Sequence, residues 1–181
     1  PDEVKTIDDI LKDRPELRSY LLANPTPRNV SRTLEQVGGI SPSNLMKAIG
    51  FQESGGDYKQ RNDTPLTGND RDPALGKYQI LWSNVIEWGK QYKLGVPESQ
   101  SAFLNNPRYQ EELATAAISD YIQRELKATG GDVDLTIRRV AAWWYGGNPD
   151  VYDSPTYGAV GPFPGMRQYT NEVLRRYKGG Y

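Results

Sequence analysis

Apolar residues recur at helical spacing along most of this chain, and Gly or Pro pairs punctuate the runs. The clearest run lies between Asn106-Pro107 and about Ala128. There Ala114, Ile118, Ile122 and Leu126 fall every fourth residue with Leu113, Ala117 and Tyr121 beside them. That pattern predicts a long helix covered on more than one side and ended by Gly130-Gly131. A further helix is expected from Asp134 through Ile137, Val140, Ala141 and Trp144 to Gly146-Gly147. Ser41-Pro42 reads as an N-cap with Pro at the first helical position, opening a helix in which Leu45, Ile49 and Glu53 share one face. Gly55-Gly56 stops it. Leu81-Trp82, Val85-Ile86 and Trp88 suit a buried helix face, and Tyr169, Val173 and Tyr177 line the last helix. Residues 1 to 40 read as three short helices, around Ile10 and Leu11, around Leu17, Tyr20 and Leu21, and through Val30, Leu34 and Val37. Asp57 to Asp72 has no helical period and predicts a loop with a small hairpin, while residues 148 to 165 predict a long surface loop. The expected class is therefore mainly α. A main domain at residues 41 to 181 carries an N-terminal helical extension, residues 1 to 40, packed on it or linked to something upstream.

Composition narrows the chemistry. The 181 residues include no Cys and no His. This excludes a thiolate nucleophile, a His-dependent triad and Cys- or His-ligated zinc, and it leaves Asp, Glu, Tyr and Lys for proton transfer. A formal net charge of -1 gives no nucleic-acid footprint, although Arg167, Arg175, Arg176 and Lys178 make the last helix locally basic. No stretch approaches the length of a membrane span, and no signal peptide opens the chain, which starts at Pro1 as though a leader or upstream domain had been removed.

Glu53 is the focus of candidate chemistry. A carboxyl at the end of an apolar stripe and near a helix C-terminus is expected to hold its proton more tightly than a solvated one, as a general acid requires. The competing reading is an ordinary solvated helical Glu. Asp57, Asp63, Asp70 and Asp72 are the places to look for a second carboxylate. Their spacing does not fit a twelve-residue calcium loop, so no metal is expected. Tyr78 and Gln79 offer a ring and an amide of the kind that hold a sugar. Adjacent helical positions point about 100° apart, so Trp143, Trp144 and Tyr145 cannot all be core, and aromatic faces suit pyranose rings. Tyr169 opens the apolar face of the last helix.

Four stretches taken in order resemble the motifs of soluble lytic transglycosylases, members of the lysozyme-like superfamily that includes goose-type lysozyme. They are Glu53-Ser54-Gly55-Gly56, Gly76-Lys77-Tyr78-Gln79-Ile80, Ala141-Ala142-Trp143-Trp144-Tyr145-Gly146, and Tyr169 with Val173. The resemblance covers about residues 41 to 178. It implies a lysozyme-like fold with a small β-hairpin or irregular lobe. It also implies that Glu53 is the single catalytic carboxyl, protonating the glycosidic oxygen between N-acetylmuramic acid and N-acetylglucosamine. The carboxylate then takes a proton from the sugar's own hydroxyl, and ring closure leaves an anhydromuramyl end. Gln79 matches a substrate-contacting Gln in the family's Gly-Leu-Met-Gln motif, with Tyr78 in place of Met, and Tyr169 matches the Tyr that orients the acid. Ser54 and the three aromatics complete the candidate substrate contacts. The family usually reads Ala-Tyr-Asn-Ala-Gly, so Trp143 replaces its Tyr and Trp144 its Asn, with loss of one polar contact. The Gly-Lys-Tyr-Gln form is also similar to some phage-type lysozymes.

The resemblance implies peptidoglycan glycan strands as partner, no cofactor, and an extracytoplasmic place: periplasmic, secreted or on a phage virion. A monomer is expected unless the chain belongs to a larger assembly. Two alternatives stay open. Hydrolysis by inversion would need a second carboxylate roughly 6.5 to 9.5 Å from the acid, for which the four Asp residues are candidates. A non-catalytic wall-binding module would keep the aromatics and not need Glu53.

Overall fold

Proline at the first helical position opens three of the helices, where its missing N–H goes unnoticed and its fixed φ is already helical. The computed structural model describes residues 27–63, 72–157 and 163–179. In chain order these form α1 (Pro27–Val37), α2 (Pro42–Ser54), β1 (Arg61–Asn62), β2 (Ala74–Leu75), β3 (Ile80–Leu81), α3 (Trp82–Gln91) and α4 (Gln100–Leu104), then α5 (Pro107–Ala128), α6 (Val133–Gly146), a short 3-10 turn (Pro149–Val151) and α7 (Met166–Tyr177). The class is mainly helical, as the periodicity predicts. The expected small hairpin is a three-stranded antiparallel sheet, β1-β2-β3, in which Arg61 pairs with Leu75 and Leu75 with Ile80. The first two helices expected near the N-terminus lie outside the described residues. Among those residues, no helix is long and apolar enough to cross a membrane.

Packing divides the chain into two units, Pro1–Ala48 with Ile118–Tyr181, and Ile49–Ala117. In the first, Leu34, Ile40, Leu45, Ile118, Ile122, Ile137, Val140 and Val173 are buried. There α6 packs along α7 and the 3-10 turn. In this unit the Ser41 N–H donates to the Tyr177 hydroxyl (3.0 Å). Asp132, not Asp134, caps α6, accepting from the Leu135 N–H (3.0 Å). Arg139 on α6 ties together the helix before it and the turn after it by reaching both Glu125 (2.6 Å) and Asp150 (2.7 Å). In the second unit Ile49, Leu75, Tyr78, Ile80, Val85, Phe103 and Leu113 are buried. The wide stripe read along α5 is observed: Leu113, Ala114, Ala117, Ile118, Ile122 and Leu126 are all buried.

Candidate active site

Glu53 occupies the last turn of α2 and is half-buried. The helix stops where two glycines take left-handed backbone, Gly55 at φ 66° and Gly56 at φ 91°. Their N–H groups return to the Phe51 carbonyl (2.8 Å) and the Gly50 carbonyl (3.3 Å), so the carboxyl sits on a defined helix end. Ser54 then pins that end to another segment. Its hydroxyl shares its proton between the Lys77 carbonyl (2.7 Å) and the Gly50 carbonyl (3.1 Å) and accepts from the Gly56 N–H (3.2 Å). Gly50 allows the two segments to meet closely. A Cβ there would stand 3.0 Å from Tyr78 Cε1 and 3.1 Å from Lys77 Cε.

The segment it meets is Gly76-Lys77-Tyr78-Gln79, the loop between β2 and β3. Gly76 has φ 74°, and a side chain there would overlap the Gln110 amide. Gln110, 1% exposed, grips the loop: its Oε1 accepts from the Lys77 N–H (3.0 Å), and its Nε2 donates to the Tyr58 and Phe103 carbonyls (2.9 and 3.1 Å). Gln79 holds a left-handed φ of 51°, costly for a residue with a Cβ. Its side-chain amide donates to the Gly76 carbonyl (2.9 Å) and more weakly to the Gln60 carbonyl (3.4 Å).

Below the loop stands Glu111, on α5, which the sequence reading did not single out. Its Oε1 accepts from Lys77 Nζ (2.7 Å) and the Tyr58 hydroxyl (2.7 Å), and its Oε2 from the Tyr78 hydroxyl (2.6 Å). Burial alone would push the Glu111 carboxyl up. The hydrogen bonds from Lys77, Tyr78 and Tyr58, with the Lys77 charge, outweigh it and hold the group below the usual carboxylate range. Burial first, and then the Glu111 carboxylate, push the hydroxyls of Tyr78 and Tyr58 up. Burial would lower Lys77, but its bond to Glu111 raises it. The cluster is thus fixed as one anion, one cation and two neutral phenols at neutral pH. No signal in the sequence marks Glu111, because the partners that converge on it come from segments far away along the chain.

The proposed substrate contacts divide. Tyr78 is 2% exposed and committed through its hydroxyl to Glu111, so it does not offer a ring face to a sugar. Ser54 spends its hydroxyl on the chain's own carbonyls. In the first unit, Trp143, Trp144 and Tyr145 are all half-buried. Trp143 stacks nearly parallel on Tyr121, with 17° between the planes, and meets Trp144 edge to face at 5.7 Å. The Arg124 guanidinium lies 5.3 Å over the other partner in that stack, Tyr121. Tyr169 is 2% exposed, its ring between Tyr145 (5.0 Å) and Phe163 (5.8 Å).

Three of the four candidate second carboxylates have local roles. Asp57 accepts from the Lys59 N–H (2.8 Å), Asp63 pairs with Arg61 (2.5 Å), and Asp72 accepts from the Ser83 N–H and hydroxyl, both at 2.7 Å. Asp70 lies outside the described residues. Among the described residues no group of three or more carboxylates is placed to hold a metal ion. No protein-family model, curated protein or solved structure matches the chain.

Proposed function

We propose that the chain is a lytic transglycosylase of lysozyme-like fold that cleaves peptidoglycan between N-acetylmuramic acid and N-acetylglucosamine, with Glu53 as its one catalytic carboxyl. The observation that carries the reading is the junction of two motifs 23 residues apart. Ser54, next to Glu53, donates to the carbonyl of Lys77, in the middle of Gly76-Lys77-Tyr78-Gln79. A half-buried carboxyl on a helix end pinned in this way is pre-organised, and catalysis of glycoside cleavage rests on such positioning.

In the proposed reaction Glu53 gives its proton to the bridging oxygen as the glycosidic bond breaks, and the N-acetylglucosamine-bearing strand leaves with that proton. The muramyl hydroxyl attacks the anomeric carbon, its oxygen forming the new bond and its proton returning to Glu53. Water is not consumed, and the carboxyl ends as it began. Trp143, Trp144 and Tyr145, in the other unit, are the proposed aromatic contacts for sugar rings. A strand of this kind lies outside the cytoplasm, and the proposed place of action is extracytoplasmic.

Hydrolysis with a second carboxylate is the weaker reading, because among the described candidates Asp57 serves a turn, Asp63 an ion pair with Arg61, and Asp72 bonds to Ser83. Glu53→Gln tests the proposal. The variant should lose lysis of purified sacculi while still binding them, whereas lysis at the wild-type rate would remove Glu53 from this role.

A further inference from the structure

The cluster around Glu111 has more order than burial of one carboxylate needs. Three donors from two segments, Tyr58 on one side and Lys77 with Tyr78 on the other, converge on its two oxygens. The Lys77–Glu111 pair is half-buried, its side chains 21% and 35% exposed, and such pairs contribute little net stability. What such a network adds is a single geometry. Here the geometry is that of the Gly76–Gln79 loop, which Gln110 also holds through the Lys77 N–H (3.0 Å). The loop in turn presents the Lys77 carbonyl to Ser54 and packs its Tyr78 and Lys77 side chains against Gly50. It is also kept in a strained form, with Gln79 at φ 51°. Strain of this kind persists only where the surroundings over-determine it.

We infer that Glu111 is a positioning residue: through Lys77 and Tyr78 it fixes the Gly76–Gln79 loop, and through that loop the helix end that bears Glu53. This rests on the reading of Glu53 as the acid, but its physical content is a coupling between two sites on the same unit. Glu111 touches no reacting atom. Its negative charge holds the Lys77 side chain down while the Lys77 backbone receives Ser54, so one residue transmits the constraint in both directions.

The test is a double-mutant cycle on the full chain between Glu111→Gln and Ser54→Ala, with turnover of soluble peptidoglycan strands followed as kcat and KM. Gln keeps the shape of Glu and removes the charge. Each single variant should lower kcat roughly tenfold or more, the scale expected of a small misplacement of a catalytic group, with KM within about twofold of wild type. The double variant should lose less than the product of the two, because both changes break one path. A second readout does not depend on the substrate. The pH titration of the Glu53 side-chain carboxyl, followed by carbon NMR without glycan, should change in Glu111→Gln and in Ser54→Ala. If Glu53→Gln leaves lysis intact while these titrations still move, the functional reading fails and the positioning inference stands. If Glu111→Gln does not fold, Tyr58→Phe, which removes one donor to the same oxygen, is read in the same two ways. A Glu111 variant of lower thermal stability with unchanged kcat and an unmoved Glu53 titration would overturn the inference. Multiplicative losses in the cycle would do the same.

Discussion

A residue's neighbours decide what it can do, and the loop at Gly76 shows how far those neighbours stay hidden in a linear sequence. Glu53 and Ser54 could be picked out because a charge at the end of an apolar stripe and two glycines after it are local patterns. Glu111 could not, since its partner Lys77 is 34 positions away and neither residue has a periodicity that asks for the other. Tyr78 illustrates the reverse error. A Tyr beside a Gln in a loop fits a sugar contact, yet the ring is buried and its hydroxyl is bonded to Glu111, so its apolar body is worth more to the core than to a ligand. At this scale Gly76 is the most demanding position, because it combines φ 74° with the Gln110 amide where a Cβ would go. Gly76→Ala is expected to cost about 2 kcal/mol or more from strain and displacement together. Urea denaturation of the variant measures this directly, and a loss below about 0.5 kcal/mol, the range of ordinary surface substitutions, would contradict the fit described.

Among the elements, the long periodic helices were the most legible. The stripe from Leu113 to Leu126 fixed α5, and Ser41-Pro42 with Gly55-Gly56 bounded α2, because apolar spacing and caps are both short-range signals. The five-residue α4 was not foreseen. It is too short to show a period, and Ser99, whose hydroxyl oxygen accepts from the Ala102 N–H (3.0 Å), starts it where only its cap is distinctive. The sequence predicts only a hairpin where the sheet has three strands, because each strand is two residues long and alternation cannot be seen over so short a run. The start of α6 was displaced from Asp132 to Asp134, since either could act as N-cap in sequence. The observed cap assigns the role to Asp132, and Asp132→Ala should therefore cost about 1 kcal/mol. Asp134→Ala removes a surface ion pair with Lys178 (2.7 Å) and should cost less. Thermal unfolding of the two variants compares them, and the opposite order would contradict the capping assignment.

For the molecule as a whole, the Glu111 cluster contributes to stability at both ends of the pH range, alongside Asp153 and Glu172 on the acid side. The Glu111 carboxyl is held below its ordinary value in the fold, so its contribution is present above about pH 4, where an unfolded Glu is ionised. That contribution is lost as pH falls through the folded value. Tyr58, Tyr78 and Lys77 are all raised, so theirs is present below about pH 10 and is lost as pH rises through the folded values. Melting temperature against pH should fall at both ends. In Glu111→Gln the acid fall should flatten and the plateau drop, and an acid limb of unchanged slope in that variant would show that other carboxylates govern it. Class and helical content were readable at this scale, because composition and period summed over many residues are robust.

In the proposed reaction one carboxyl, Glu53, cleaves glycan strands without water. Mass spectrometry of purified peptidoglycan digested by the wild-type chain and by Glu53→Gln tests it most directly. Anhydromuramyl ends are expected from the wild type and no new ends from the variant. New reducing ends without anhydro products, or anhydro products from the variant, would contradict it.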